Sequence, residues 1–483
     1  MTLAVILIPF LVALLVIFSP RGMAYALALL STFATFICSL FLAGSSPLSR
    51  QWIPGFGSYF ELSSVGAASV LIPVAALVMI PTVYYAGYKV VERTSGLLAL
   101  LLAMQAGLNG IFLAKDLLLF YVFWEATLIP SVLMLGIWGR EERRQAALKY
   151  LIYAVAGSFL MLISILAIKP LSGAVSYRIT DLMATTPNLA TATQIWLFIG
   201  MAIGMAVKLP LWPLHGWLID FNEQNHVSGV ADVAGTLYKV GGFGFFAWAL
   251  PLLPAAAQSI GLLFLILSAI TALYAALIAT TQTHLKRFLA YTSLAHMGIV
   301  GVGVFGLNIA GLNGAVFLLA AQMLSTGGLF LISGMLYERK GDFDMTAYGG
   351  LSKSAPALAA LSLFILFTSI GVPGLANFPG EFMSLMGAFQ TYPWVAALAT
   401  LSVIAAGVYG VNAYQRLFQG EQKEAIREIR SAEFLVLVPL LAGILWLGLF
   451  PSQSFEHIDE QSSLLTQQLE QVDATPVKLA GGN

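Results

Sequence analysis

Long apolar stretches recur along the 483 residues of this chain, each close to the length a helix needs to cross a bilayer. At roughly 20 residues per crossing, about fourteen such windows can be marked, near 3–19, 22–43, 64–87, 95–114, 117–137, 147–168, 194–215, 229–250, 258–280, 286–306, 310–336, 356–391, 393–418 and 432–450. Hydrocarbon offers no partner to backbone N–H and C=O groups, so windows of this kind commit the chain to helices. With 59% apolar and only 10% charged residues, a soluble globular fold is excluded. The expected fold class is an all-α polytopic membrane protein.

The first window has no basic segment ahead of it and runs through Pro9 into the second, so a cleaved secretory signal is not expected. Cys38, the single cysteine, lies in an apolar run and reads as a buried small side chain, which leaves no intrachain disulfide or cysteine-ligated cluster. Most of the 23 Lys and Arg residues fall on one face, among them Arg21, Lys89, Arg140, Arg143, Arg144, Lys286, Arg287, Arg339 and Arg430. The positive-inside bias makes that face cytoplasmic and places both termini on the periplasmic side. The net charge of zero hides this asymmetry and gives no sign of a nucleic-acid partner.

No long linker divides the chain, and a polar tail follows from about residue 451. Prolines interrupt two windows five spans apart: Lys208-Leu209-Pro210-Leu211-Trp212-Pro213 breaks the seventh, and Gly371-Val372-Pro373-Gly374 with Phe378-Pro379-Gly380-Glu381 breaks the twelfth. Paired interruptions are the sign of inverted-topology repeats whose broken helices meet polar cargo at mid-membrane. The organisation expected is three N-terminal helices over 1–90, a first five-helix repeat over 91–250, a second inverted repeat over 251–420, and a final helix with its tail over 421–483.

Four charges sit inside apolar windows: Glu125, Lys208, Lys239 and Glu381. Any one of them could be a structural ion pair or snorkel to an interface. Four together point to an ion path, because charge in hydrocarbon is costly and rarely kept without a role. Glu125 lies too deep in its window to reach water by snorkelling and needs a partner, which Lys208 or Lys239 supplies if the helices pack side by side. Losing one member of a buried pair costs roughly 3–5 kcal/mol. Moving one proton against 100 mV costs about 2.3 kcal/mol, so one pair has the leverage to gate a step. His296 falls mid-span beside Thr292 and Ser293 and is a further proton carrier, its ordinary pKa lying near working pH. His215 reads equally as relay or interfacial anchor; His226 and His284 read as loop or helix-end residues, and His457 belongs to the tail. No histidine pair has metal-ligand spacing, and no phosphate-cradling glycine motif stands between a strand and a helix.

These residues also carry a family likeness. Phe123-Trp124-Glu125-Ala126-Thr127-Leu128-Ile129-Pro130, Ala206-Val207-Lys208-Leu209-Pro210, Leu237-Tyr238-Lys239, Ala290-Tyr291-Thr292-Ser293 with His296-Met297-Gly298, and Asn377-Phe378-Pro379-Gly380-Glu381-Phe382 run in order along about 90–420. The sequence resembles the antiporter-like M-type (chain 4) subunits of respiratory complex I, a superfamily shared with multi-subunit cation/proton antiporters. The resemblance implies a proton-translocating subunit in a bacterial inner membrane or its equivalent, with other membrane-arm subunits as partners. It implies no cofactor in this chain and FMN, iron–sulfur clusters and quinone in the partners. Glu125 would pair with Lys208, Lys239 would be the central lysine of the eighth helix, and His296 would hand protons on to Glu381. A glutamate at 381, where L- and N-type relatives carry lysine, and the absence of a long amphipathic arm after the last span both favour the M type.

The likeness breaks in places. The family's Trp-Leu-Pro-Asp-Ala-His is here Trp217-Leu218-Ile219-Asp220-Phe221-Asn222, which puts the cytoplasmic end of the seventh helix in doubt. Gln322 stands where many relatives have a second histidine, so a relay there would need waters. A sodium/proton antiporter subunit, a ferredoxin- or hydrogenase-linked relative and a non-pumping spacer of the membrane arm remain as alternatives at this point.

Overall fold

The computed structural model describes residues 1–237 and 240–473. It is a helical bundle in which eleven helices among the described residues are long and apolar enough to cross a membrane. In chain order the elements are α1 (Ala4–Ile17), α2 (Arg21–Leu40), the strands β1 (Leu48–Ile53) and β2 (Ser58–Leu62), α3 (Ala68–Lys89), α4 (Thr94–Leu113), α5 (Leu117–Ala126), α6 (Leu128–Trp138), α7 (Arg143–Ser172), α8 (Ile179–Met183), α9 (Thr191–Lys208), α10 (Gly216–Gln224) and α11 (Val230–Leu237). They continue with α12 (Gly241–Gly244), a π turn, α13 (Leu250–Leu252), α14 (Pro254–Thr281), α15 (Leu285–Phe305), α16 (Ile309–Lys340), α17 (Pro356–Ser369), α18 (Asn377–Thr391), α19 (Pro393–Phe418), α20 (Ser431–Leu449) and α21 (Pro451–Asp473). The elements α1, α12–α13 and α17 belong to apolar helical stretches shorter than a full span.

Two helices form the centre. Every residue in the apolar windows of α15 and α16 is buried, as expected of helices that are apolar all round. Small residues set how closely their neighbours approach: a Cβ at Gly380 would lie 2.8 Å from the Leu318 backbone, and one at Gly314 2.4 Å from the Ser384 amide. α16 and α18 therefore touch backbone to backbone, the usual role of glycine between membrane helices.

Two features depart from the expected all-α bundle with a short polar tail. Residues 48–62 form an antiparallel hairpin, too short and too polar to register as a membrane window. The tail is instead a 23-residue amphipathic helix, α21. Its buried Ser454, Ile458, Ser462, Leu465 and Leu469 recur every three or four residues. Asn313 Nδ2 donates to Asp459 Oδ1 (2.9 Å), the Ala67 amide to Gln461 Oε1 (3.1 Å), and Phe455 stacks on Phe317 with centroids 4.8 Å apart, so α21 folds back over the hairpin end of its own bundle. At the opposite, basic end the seventh window's continuation is an intact helix, α10. Its Asp220 pairs with Lys149 (2.6 Å) and its Glu223 with Arg287 (2.7 Å), which answers the doubt raised by the altered 217–222 stretch.

Each end carries a buried polar lock. At the basic end Arg339 reaches Glu433 (2.5 Å) and Lys89 lies 3.6 Å from the same carboxylate, tying α3, α16 and α20 together. At the hairpin end Asp116 caps α5 through the amides of Leu118 (3.0 Å) and Leu119 (3.1 Å) and also accepts from Ser58 Oγ (2.9 Å) and the Tyr59 amide (2.8 Å). Next to it, burial pushes the Lys115 ammonium down to about 8 against the opposing effect of Glu61. Asp116→Ala removes a helix cap and strands two hairpin donors, so a loss of about 2–4 kcal/mol is expected. Asp116→Asn, which keeps an acceptor, should lose less; thermal unfolding in detergent with limited proteolysis of residues 48–62 distinguishes the two.

Candidate functional site

Pro210 and Pro213 cannot continue α9, so the helix stops at Lys208. Trp217 Nε1 donates to the Val207 carbonyl (3.0 Å), satisfying one of the groups the break frees. The Lys208 side chain, only 3% exposed, turns towards the junction of α5 and α6. Its ammonium donates to the Trp124 carbonyl (2.8 Å) and Thr127 Oγ1 (2.9 Å) and lies 4.3 Å from the centre of the Trp124 ring.

This is not the direct Glu125–Lys208 pair that the sequence suggests. No ion pair within 4.0 Å joins them; Glu125 is the next residue after the carbonyl that holds the ammonium, close enough for its charge to act on it. Glu125 is half-buried, on a face with exposed Val122 and Ile129. The physical reason is local: the Trp124 carbonyl, Thr127 at the α5–α6 junction and the indole face together solvate the ammonium from inside, while Glu125 is only half-buried.

The second constellation is built by α15 and α18. His296 Nε2 lies 3.3 Å from Glu381 Oε1, with side chains 5% and 6% exposed. Glu381 sits in the first two turns of α18, after the break at Ile370–Ala376. There Gly371 has φ +73°, and a Cβ on it would lie 2.3 Å from Glu381 Oε2, so the carboxylate occupies space that only glycine leaves open. On neighbouring α16, Thr326 Oγ1 donates to Gln322 Oε1 (2.5 Å) and Ser325 Oγ to Asn377 Oδ1 (3.0 Å), extending a polar seam towards the broken α17–α18 pair. Among the described residues no hydrogen-bond partner is found for the buried His296 Nδ1, Glu381 Oε1, Gln322 Nε2, Ser384 Oγ and Tyr409 OH. Buried polar atoms of this kind in native proteins bond to ordered water.

Gly371→Ala forces an alanine into the left-handed region, at about 1–2 kcal/mol, and pushes the Glu381 carboxylate from its seat. The expected result is a modest fall in melting temperature with a larger loss of whatever function the His296–Glu381 contact serves, read by comparing thermal unfolding with proton translocation.

Lys239 lies outside the described residues. His215 is half-buried, its ring edge-on to Tyr274 at 5.3 Å, and His284 caps α15 by accepting from the Arg287 amide (3.4 Å). Among the described residues no group of three or more His, Cys, Asp or Glu is placed to hold a metal ion.

Besides Arg339–Glu433, a second buried charge pair was missed by sequence reasoning. Lys286 and Asp232 meet at 2.7 Å with both side chains 0% exposed, and the ammonium also donates to the carbonyls of Asn225 (3.0 Å) and His226 (2.9 Å). Asp232 stands inside the eighth apolar window, which was the available signal; Lys286 was counted with the basic face. Beside them burial, and then the Lys286 charge, push His226 down to about 4, so its ring is neutral at neutral pH and its Nδ1 accepts from the Ser228 amide (3.2 Å). At the basic end, beside Arg287, lies a polar crevice of about 260 Å³ whose walls include Lys149, Asp220, Glu223 and Arg287.

A multi-span bundle with two broken helices, each with a buried charged side chain close to the break, defines a membrane protein of the transporter-like class. The sequence pattern described as "NADH:quinone oxidoreductase/Mrp antiporter, TM" matches residues 114–406, more than half of the chain, and the chain belongs to this family. It is 40% identical over 437 residues to NADH-quinone oxidoreductase subunit 13 of Thermus thermophilus, covering 89% of this chain and 92% of that one. It is 34% identical to subunit M of Rhodobacter capsulatus, covering 94% and 93% of the two chains. Among solved structures, a chain of respiratory complex I from Thermus thermophilus with bound NADH superposes with a TM-score of 0.92 at 37% identity, over 97% of this chain and all of that one.

Proposed function

We propose that this chain is a proton-translocating membrane-arm subunit of a complex I-like NADH:quinone oxidoreductase and that it conducts protons along a central seam of Lys208, Lys239, His296 and Glu381, with Glu125 modulating Lys208. What carries the reading is the buried His296–Glu381 contact at 3.3 Å beside a broken helix, in a chain whose fold matches a complex I membrane subunit throughout. The imidazole and carboxylate stand 3.3 Å apart with no hydrogen bond between them, and the unpaired atoms around them, Glu381 Oε1 included, offer places for water to carry a proton from one to the other.

The three shorter apolar helices complete fourteen crossings, and the five-helix stretches 91–250 and 251–420 act as inverted repeats, flanked by 1–90 and 421–483. Both termini face the periplasm of a bacterial inner membrane. The polar crevice at the basic end is the cytoplasmic mouth. Redox energy arrives from partner subunits that hold FMN, iron–sulfur clusters and quinone.

The family description also covers antiporters, so a sodium/proton antiporter subunit is the second reading. Affinity purification of the chain from its native membrane should bring down iron–sulfur proteins, and recovery of small membrane subunits alone would favour the antiporter. Proton uptake into vesicles should be driven by NADH and be indifferent to a sodium gradient.

A further inference from the structure

A deep groove lies away from the polar seam, at the hairpin end, between α2, α3 and α20. Its volume is about 570 Å³, within the range of roughly 300–1,000 Å³ typical of small-molecule sites. Its polarity is graded. The rim carries Gln453, Ser454 and His457 from the start of α21, while the inner walls are Val74 and Leu77 of α3 and Ala442 of α20. No Asp or Glu lines it.

The groove is blind. At Gly443 a Cβ would lie 2.9 Å from Leu324 and 3.0 Å from Leu77, so α20 closes against α3 and α16 there. From Ser69 at the rim to Leu77 at the floor is eight residues of α3, about 12 Å at 1.5 Å per residue. A slot of that depth is too short for a spanning helix of a partner, which must cover about 30 Å of hydrocarbon. It suits a flexible apolar chain entering from the membrane surface. The rim offers hydrogen-bond donors in the Gln453 amide, the Ser454 hydroxyl and the His457 ring.

We infer that this groove binds one diacyl phospholipid, an acyl chain inserted between α3 and α20 and its phosphate held at the Gln453–His457 rim. The floor residue Leu324 lies on the same stretch of α16 as Gln322 and Ser325 of the seam, so the acyl chain closes the bundle off from the surrounding lipid beside its polar centre.

The complex purified from its native membrane is washed in detergent and its retained phospholipid measured by phosphate assay and native mass spectrometry, for the wild type, Ala442→Trp within the groove, and Leu435→Trp on the lipid-facing side of the same helix. Wild type and Leu435→Trp should each retain one phospholipid more per copy of this chain than Ala442→Trp. In the wild type alone, a phospholipid with a diazirine on its acyl chain should crosslink preferentially to residues 70–77 and 442–447. Equal retention in all three proteins, or labelling spread evenly over the outer faces of α2, α3 and α20, would mean ordinary boundary lipid and overturn the assignment. Recovery of a quinone or of a partner-subunit peptide from the groove would overturn it as well.

Discussion

Lys286→Met is expected to destabilise the chain by about 3–5 kcal/mol, because it removes the only ion-pair partner described for a fully buried carboxylate, Asp232. Asp232→Asn should cost less, since the Lys286 ammonium keeps the carbonyls of Asn225 and His226. The double variant carries neither charge and should recover a large part of the loss, as buried pairs do when both members become neutral. Thermal unfolding of the solubilised complex and the amount assembled in membranes give the three values. A deficit in the double variant equal to that of Lys286→Met would show that the pair is not the unit. Because Asp232 opens α11 and Lys286 opens α15, the same measurement reports how firmly those helix starts are held together at the basic end.

Lys208→Met should behave in the opposite way: little change in stability, large change in function. Its ammonium is held by a peptide carbonyl, a hydroxyl and an aromatic face rather than by a close carboxylate, and Thr127 Oγ1 already donates to the Trp124 carbonyl (2.8 Å). Removing the charge therefore strands no buried ion, and a methionine of similar shape should cost less than about 1.5 kcal/mol. If Lys208 holds a proton in transit, the protons moved per electron fall while the complex still assembles. Glu125→Gln, which only alters the field at Lys208, should reduce pumping less than Lys208→Met does; an equal ratio in wild type and Lys208→Met would remove Lys208 from the path.

Much of this architecture could be read from the chain because bilayers punish exceptions. Length, hydropathy and the prolines at 210, 213 and 373 located the helices and both breaks. The charges at 208 and 381 stood out against an apolar background. What could not be read were features whose energetics are local or long-range rather than periodic. The 48–62 hairpin depends on Asp116, 54 or more positions further on, to satisfy Ser58 and Tyr59. α21 is polar in composition, and only its buried stripe reveals that it lies on the bundle. Asp232 and Lys286 are 54 residues apart, and neither looks paired until the broken helices fold. The Lys208 ammonium chose a carbonyl and a ring over Glu125 because the α5–α6 junction presents them first.

The most direct test of the proton seam is the number of protons pumped per electron by the purified complex in sealed vesicles, with NADH as donor and Glu381→Gln set against wild type. Glutamine keeps the size of the side chain against Gly371 and His296 but cannot release a proton. The ratio should fall while the variant complex stays assembled and still oxidises NADH. An unchanged ratio in a fully assembled complex would contradict proton transfer through His296 and Glu381.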